Sequence, residues 1–273
     1  MHAVLDADAL RARAVVLRAL RRWFDRRGYL EVHTPVLVPS GAMEENLETL
    51  AADGGVLHTS PEFAMKRVLG AGLGRIYQVT PCFRGEESGP HHHREFTLLE
   101  WYRAGAALTD LMDEVEDLIG SCAQALGHPA PAFSRVAVDD LIEDRGDPDA
   151  WFLEWVDRVE PTLTQPTIVY GYPAWQAALA RVEGPTAQRF EVYLGGLELA
   201  NAFDEERDPD TIAARWHAGN ARRVARGRDP HPLDPRFLDA LPRMPRCSGI
   251  ALGIDRLVMA LHGVDDIRRV QVR

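Results

Sequence analysis

The chain has 273 residues, 46% of them hydrophobic and 26% charged, with a formal net charge of −10. That length accommodates one large domain or two small ones around an ample core, and the negative balance speaks against the basic face by which proteins grip nucleic acid. The three cysteines, Cys82, Cys122 and Cys247, are odd in number and far apart, so neither a disulfide framework nor a zinc site is indicated.

No apolar run reaches the ~20 residues of a membrane span, and the opening "MHAVLDADALRARAVV" is interrupted by Asp and Arg, unlike a secretory signal. A cytoplasmic protein is expected. Lys66 is the one lysine among 31 basic residues; the guanidinium excess suits carboxylate and phosphate contacts, though genome composition produces the same bias. With no repeat, low-complexity tract or long linker, one domain over residues 1–273 is expected.

In chain order, residues 6–27 have helical spacing (Leu10, Ala14, Leu17, Leu20, Phe24), arginines on the other side and Gly28 as a stop. "YLEVHTPVL" reads as a strand or extended segment held by Pro35, 47–58 as a short hairpin, and 61–70 as a helix with Pro61 in its first turn. "RIYQVTPCFR" and "EFTLLEWYRA" alternate with period two, and 108–126 returns to helix. The stretch 134–166 is mixed. "RFEVYLGGLELANAF" predicts two strands joined at Gly195-Gly196; helices near 209–225 and 234–242, a strand "CSGIALG" and a helix "IDRLVMALHG" follow. Strands arriving as hairpins with helices between them imply an α+β fold, an antiparallel sheet flanked by helices.

Three constellations carry chemistry. In the first hairpin, Tyr77, Val79, Leu99 and Trp101 form an oily face. Arg84, Phe96, Glu100 and Tyr102 lie on the mixed face, suited to a ligand with a phosphate, a flat base and an ammonium; an ordinary half-solvated sheet reads the same way. In the second hairpin, a two-residue turn pairs Tyr193 with Glu198 and sets Glu191 diagonally on the same face, within ~7–8 Å. Two such carboxylates suit Mg²⁺ bridging phosphates, or else a solvated acidic face. Strict alternation places Glu205 with Asn201 and Phe203 on the opposite face, so Glu205 reaches the same pocket only if the strand is irregular, expected near Phe203. In the third, "GIALGIDRLVM" runs a glycine-containing strand into a helix with Arg256 in its first turn, a setting that favours phosphate. His91, His92 and His93 are consecutive and diverge, which fits polyphosphate donors at a hairpin tip better than a metal centre.

Together these stretches resemble the three signature motifs of class II aminoacyl-tRNA synthetases: "GYLEVHTPVL" motif 1, "FRGEESGPHHHREF" motif 2, "GIALGIDR" motif 3. "SPEFAMKR", "FTLLEWY", "GLELANAFDE" and "GIDRLVM" resemble the lysyl-tRNA synthetase branch from about residue 8 to 265. The motif 1 helix begins almost at Met1, so the branch's N-terminal anticodon-binding domain is expected to be missing and tRNA is not the expected acceptor. Ser60 and Ala251, where the tRNA enzymes tend to have Ala and Gly, point to the truncated paralogues that attach (R)-β-lysine to a lysine of translation elongation factor P.

The resemblance implies an ATP-dependent ligase that uses Mg²⁺ and forms a homodimer through motif 1. It implies that Arg84 and Arg256 are catalytic, on the α-phosphate and the γ-phosphate end. Gly85, Glu86, His92, His93, Phe96, Glu198, Leu199 and Gly253 would complete the ATP site, with Phe96 on adenine and Glu191 and Glu198 on the metal. Ser60, Pro61, Glu62, Glu100, Tyr102, Glu205 and Ala251 would form the amino-acid pocket. Three departures bear on this: His93 stands where the family usually has Asn, 134–166 is shortened, and the C-terminus "RRVQVR" differs from the usual ending. A stand-alone lysine-activating enzyme charging a carrier protein, small molecule or tRNA is an alternative, as is a catalytically silent regulatory paralogue.

Overall fold

The computed structural model describes residues 6–41 and 43–272. Asp6 accepts a hydrogen bond from the Ala9 amide and caps helix α1 (Ala7–Arg26), and Gly28, at φ +70°, lets the chain turn away. The motif 1 stretch holds only the short strands β1 (Leu30–Glu31) and β2 (Leu37–Val38). A hairpin of β3 (Leu50–Ala52) and β4 (Gly55–Leu57) leads to α2 (Glu62–Gly70), with Pro61 at its cap position. The long strands β5 (Arg75–Phe83) and β6 (Glu95–Ala104) precede α3 (Leu108–Ala125).

The mixed region resolves into β7 (Ser134–Ala137), α4 (Pro148–Glu154), a π turn over Trp155–Val159 and β8 (Thr167–Tyr170). A small hairpin, β9 (Val182–Glu183) and β10 (Thr186–Ala187), was not expected from sequence. Strands β11 (Arg189–Leu194) and β12 (Leu197–Asp204) meet at Gly195-Gly196, whose φ angles of +63° and +76° only glycine adopts readily. Helices α5 (Pro209–Ala225) and α6 (Pro235–Ala240), strand β13 (Cys247–Gly253) and helix α7 (Ile254–His262) complete the described chain.

Eight strands form one sheet in the order β1-β5-β6-β13-β12-β11-β8-β7. The central pairs are antiparallel as expected, but β1 with β5 and β7 with β8 are parallel, so the sheet is mixed at its edges. Each outer strand enters by a long connection rather than a hairpin, which permits parallel pairing. Helices α1, α3 and α7 cover one face with a core that includes Val16, Leu20, Phe24, Tyr77, Leu99, Trp101, Ile119, Ile250 and Met259. Leu20 is fully buried there, and Leu20→Ala would cost ~2–5 kcal/mol.

The other face is covered only at its ends. At one end Met65, Ile76, Tyr102, Trp216, Phe237 and Cys247 pack together beneath α2, α5 and α6. At the other, Trp151, Trp155, Val169, Tyr172 and Tyr193 form a separate cluster, with Trp151 and Trp155 stacked 5.0 Å apart. The strip of sheet between these clusters is the floor of the candidate site.

Candidate active site

Strand register decides which side chains share that floor, because cross-strand partners point the same way. One row runs Tyr102, Gly249, Phe203, Arg189. The next runs Gln78, Glu100, Ala251, Asn201, Glu191, and the third Thr80, Leu98, Gly253, with Glu198 beside Tyr193. Phe96 pairs with Cys82 at the far end.

Glu198 and Glu205 occupy one face because the register of β12 shifts: Tyr193 pairs with Glu198 and Val192 with Ala200, leaving Leu199 without a partner. This corrects the expectation from strict alternation. The irregularity lies at Leu199 rather than near Phe203, and the extra residue inverts parity downstream, carrying Asn201, Phe203 and Glu205 to the ligand face. Leu199 itself packs in the main core, so it reaches the floor only through its backbone, whose carbonyl lies near Gly253.

At the acidic end, Ser60 Oγ accepts from the Glu62 amide at the start of α2 and donates to Glu100 Oε2 at 2.6 Å. The Tyr102 hydroxyl donates to Glu100 Oε1, also at 2.6 Å. Lys66, one helical turn after Glu62, places its Nζ 2.7 Å from Glu62 Oε1 and 2.6 Å from Glu205 Oε2. Burial, reinforced by neighbouring carboxylates, pushes Glu100 and Glu205 each up to about 8 and raises Glu62 as well. Burial works against the Lys66 charge, but Glu205 and Glu62 outweigh it and keep the ammonium protonated. A Cβ on Gly249 would lie 2.3 Å from the Tyr102 ring and 2.6 Å from Glu205 Oε1, so only glycine lets these two groups cross the floor there.

At the basic end, the Arg84 guanidinium lies 4.9 Å from the Phe96 ring centre and 3.1 Å from Glu87 Oε1, and its Nε is buried without a partner. Arg256 donates to the Glu198 carbonyl at 2.9 Å and the His91 carbonyl at 3.2 Å, and meets His92 Nε2 at 2.5 Å. Burial and the positive charge of Arg256 hold the His92 ring below its ordinary range, and Arg84 acts in the same direction. The two arginines therefore flank one hairpin tip. His93 Nδ1 accepts from the Glu95 amide, Glu86 is paired with Arg228 at 2.9 Å, and the Gly85 amide already donates to the Glu48 carbonyl at 2.7 Å.

Between the ends stand Glu191 and Glu198. Glu191 is held by Arg189, by the Tyr172 hydroxyl at 2.6 Å and by the Tyr193 hydroxyl at 2.7 Å. Burial and Glu191 push Glu198 up to about 7, and no hydrogen bond to its carboxylate offsets this among the described residues. That is a site short of positive charge. No group of three or more metal-ligating side chains converges among the described residues. Arg84 Nε, Gln78 Oε1, Asn201 Oδ1 and Arg189 Nε are all buried on this one floor without partners among the described residues, as expected where a polar ligand supplies the missing bonds.

Sequence reasoning did not single out Lys66, Gln78, Asn201, Tyr172, Arg189 or Arg228 as site residues. The available signal for Lys66 was its uniqueness: the chain has no other lysine, and this one is fully buried.

A mixed sheet with a two-ended polar floor and arginines at motifs 2 and 3 is the framework of a class II synthetase. The chain matches the family model for tRNA synthetases class II (D, K and N) over residues 6–272 and belongs to that family. Within it, the chain is 38% identical to a protein of Vibrio parahaemolyticus named elongation factor P--(R)-beta-lysine ligase, over 96% of this chain and 94% of that one. It is also 38% identical to the proteins of that name from Yersinia enterocolitica and Proteus mirabilis, over 94% of this chain and 92% of each of theirs.

Proposed function

We propose that this protein is an ATP-dependent ligase that activates (R)-β-lysine as its adenylate and transfers it to a lysine of translation elongation factor P. The observation that carries the reading is the single floor joining a guanidinium end to a buried acidic end. A diamino acid held by Glu62, Glu100, Tyr102 and Glu205 would direct its carboxylate along the Ala251–Asn201 row toward Arg84.

One carboxylate oxygen attacks the α-phosphorus, the bond to the bridging oxygen breaks, and pyrophosphate leaves. Arg84 neutralises charge that grows on the α-phosphoryl oxygens, and Arg256 grips the far phosphates. Mg²⁺ held by Glu198 and Glu191 would supply further phosphate neutralisation. The acceptor's amine then attacks the acyl carbon and AMP departs, so alignment suffices and no side-chain nucleophile is required. Phe96 would stack on adenine, with Gly85, Glu86, His92, His93, Leu199 and Gly253 around the nucleotide.

A homodimer through motif 1 belongs to the same reading. It is supported by β1 at the sheet edge and by Leu30 and Leu37, exposed at 51% and 47%. Among the described residues no helix is long and apolar enough to cross a membrane. Enzyme, ATP, (R)-β-lysine and elongation factor P incubated together should add one β-lysyl mass to the factor. Adenylation without that mass shift would overturn the acceptor assignment.

A further inference from the structure

Lys66 is the chain's one lysine and is fully buried. Its ammonium sits between carboxylates from two elements, Glu62 on its own helix and Glu205 beyond the end of β12. A salt bridge of this kind need not stabilise a fold, because the desolvation of the charges offsets their attraction. Its placement inside the amino-acid pocket suggests another role.

We propose that Lys66 is a positioning residue that fixes the geometry and charge of the amino-acid pocket, leaving it with the two negative charges that a diammonium acid neutralises. The inference rests on the ligase reading above. Nζ engages one oxygen of each carboxylate, Glu62 Oε1 and Glu205 Oε2. The second oxygen of Glu205 remains over Gly249 and the Tyr102 ring, on the pocket floor.

The charge count follows from the groups present. Glu62, Glu100 and Glu205 bring three negative charges and Lys66 one positive. Of the remaining groups that face them, the Tyr102 phenol on β6 and the Cys247 thiol on β13 are held neutral by burial. Glu44 adds negative potential at Glu62, and the Phe237 ring of α6 lies 6.0 Å from the Lys66 ammonium. Two ammonium groups entering with the substrate complete the balance. Burial and the neighbouring carboxylates push Glu100 and Glu205 up to about 8, so negative charge in the empty pocket is costly and the ammonium groups of the substrate relieve that cost.

The test measures amino-acid-dependent pyrophosphate exchange with (R)-β-lysine across pH 6 to 9 for the wild type, Lys66→Met and Lys66→Met/Glu62→Gln. Lys66→Met leaves three carboxylates for two ammonium groups. Its KM should rise about tenfold or more near neutral pH with kcat changed far less, and the fall of KM with pH should move to higher pH. Adding Glu62→Gln restores the count and should move that profile back. A KM profile for Lys66→Met that superimposes on the wild type overturns the proposal, as does a loss that the second substitution leaves unmoved.

Should Lys66→Met not fold, Glu62→Gln with Lys66 in place decides: it leaves one net negative charge too few for two ammonium groups, so the fall of KM with pH should move to lower pH, and an unmoved profile overturns the proposal. Wild-type exchange with an unaffected Lys66 variant removes this inference alone, whereas a wild type that activates no diamino acid removes the ligase reading and this inference with it.

Discussion

Glu198 and Glu205 point to the same face of the sheet, although strict alternation would set them on opposite faces, because Leu199 between them pairs with nothing on β11. One strand thereby serves both ends of the pocket. Its start supplies the carboxylate beside the Arg256 contact, and the residue just past its end supplies the carboxylate that meets Lys66. The separation between the basic and acidic ends is thus built into a single piece of backbone, whose flanking hydrogen bonds hold it more rigidly than a loop would.

Among the described residues the Arg84 guanidinium makes one ion pair, with the partly exposed Glu87, and leaves Nε unsatisfied. Such a group adds little to stability but much to a transition state that gathers charge on phosphoryl oxygen. Arg84→Ala should lower pyrophosphate exchange by about 10²–10³-fold while thermal unfolding stays near the wild type. Near-normal exchange would remove Arg84 from the mechanism.

Ala251 lies between Glu100 and Asn201 in the central row, with its Cβ on the pocket floor. Removing that methyl deepens the floor where the substrate backbone would rest. Ala251→Gly should therefore shift the ratio of exchange with α-lysine to exchange with (R)-β-lysine upward, by about tenfold for a methyl-sized change in a pocket. The two substrates assayed side by side check this, and an unchanged ratio contradicts it.

The period-two pattern located β5 and β6, and the Gly195-Gly196 turn located β11 and β12, because these strands carry an apolar face toward α1, α3 and α7 and a mixed face toward the floor. Asn201 was misplaced because one unpaired residue inverts every face beyond it, and no local composition around Leu199 marks the inversion. Lys66 reads in sequence as an ordinary basic residue of an amphipathic helix; its burial depends on Glu205, far along the chain. Tyr172 and Arg189 border a region of short turns and a π segment, where no periodicity exists to read.

Gly249 is fixed by contact rather than by backbone torsion. A methyl group there would overlap the Tyr102 ring, at 2.3 Å, and crowd Glu205 Oε1, at 2.6 Å. Gly249→Ala should displace one or both groups, raising KM for the diamino acid much more than KM for ATP, at a stability cost of ~1–3 kcal/mol for overpacking. Equal changes in both KM values would show that the residue serves the whole sheet rather than the amino-acid end.

The raised carboxylates make stability depend on pH in a definite direction. Glu100 and Glu205 at about 8 and Glu198 at about 7 bind protons in the folded state at pH values where the unfolded chain has released them. Stability therefore falls as pH rises toward about 8. His58, His92 and His231 are pushed down by burial and act oppositely, adding stability as pH climbs to their ordinary value of about 6.5. The interval from about 6.5 to about 8 thus isolates the carboxylates. In the absence of ligand the melting temperature should decline across it, (R)-β-lysine with ATP should flatten the decline, and Glu205→Gln should reduce its slope. A ligand-free melting temperature that stays level over this interval would show that these acids do not take up protons in the folded protein.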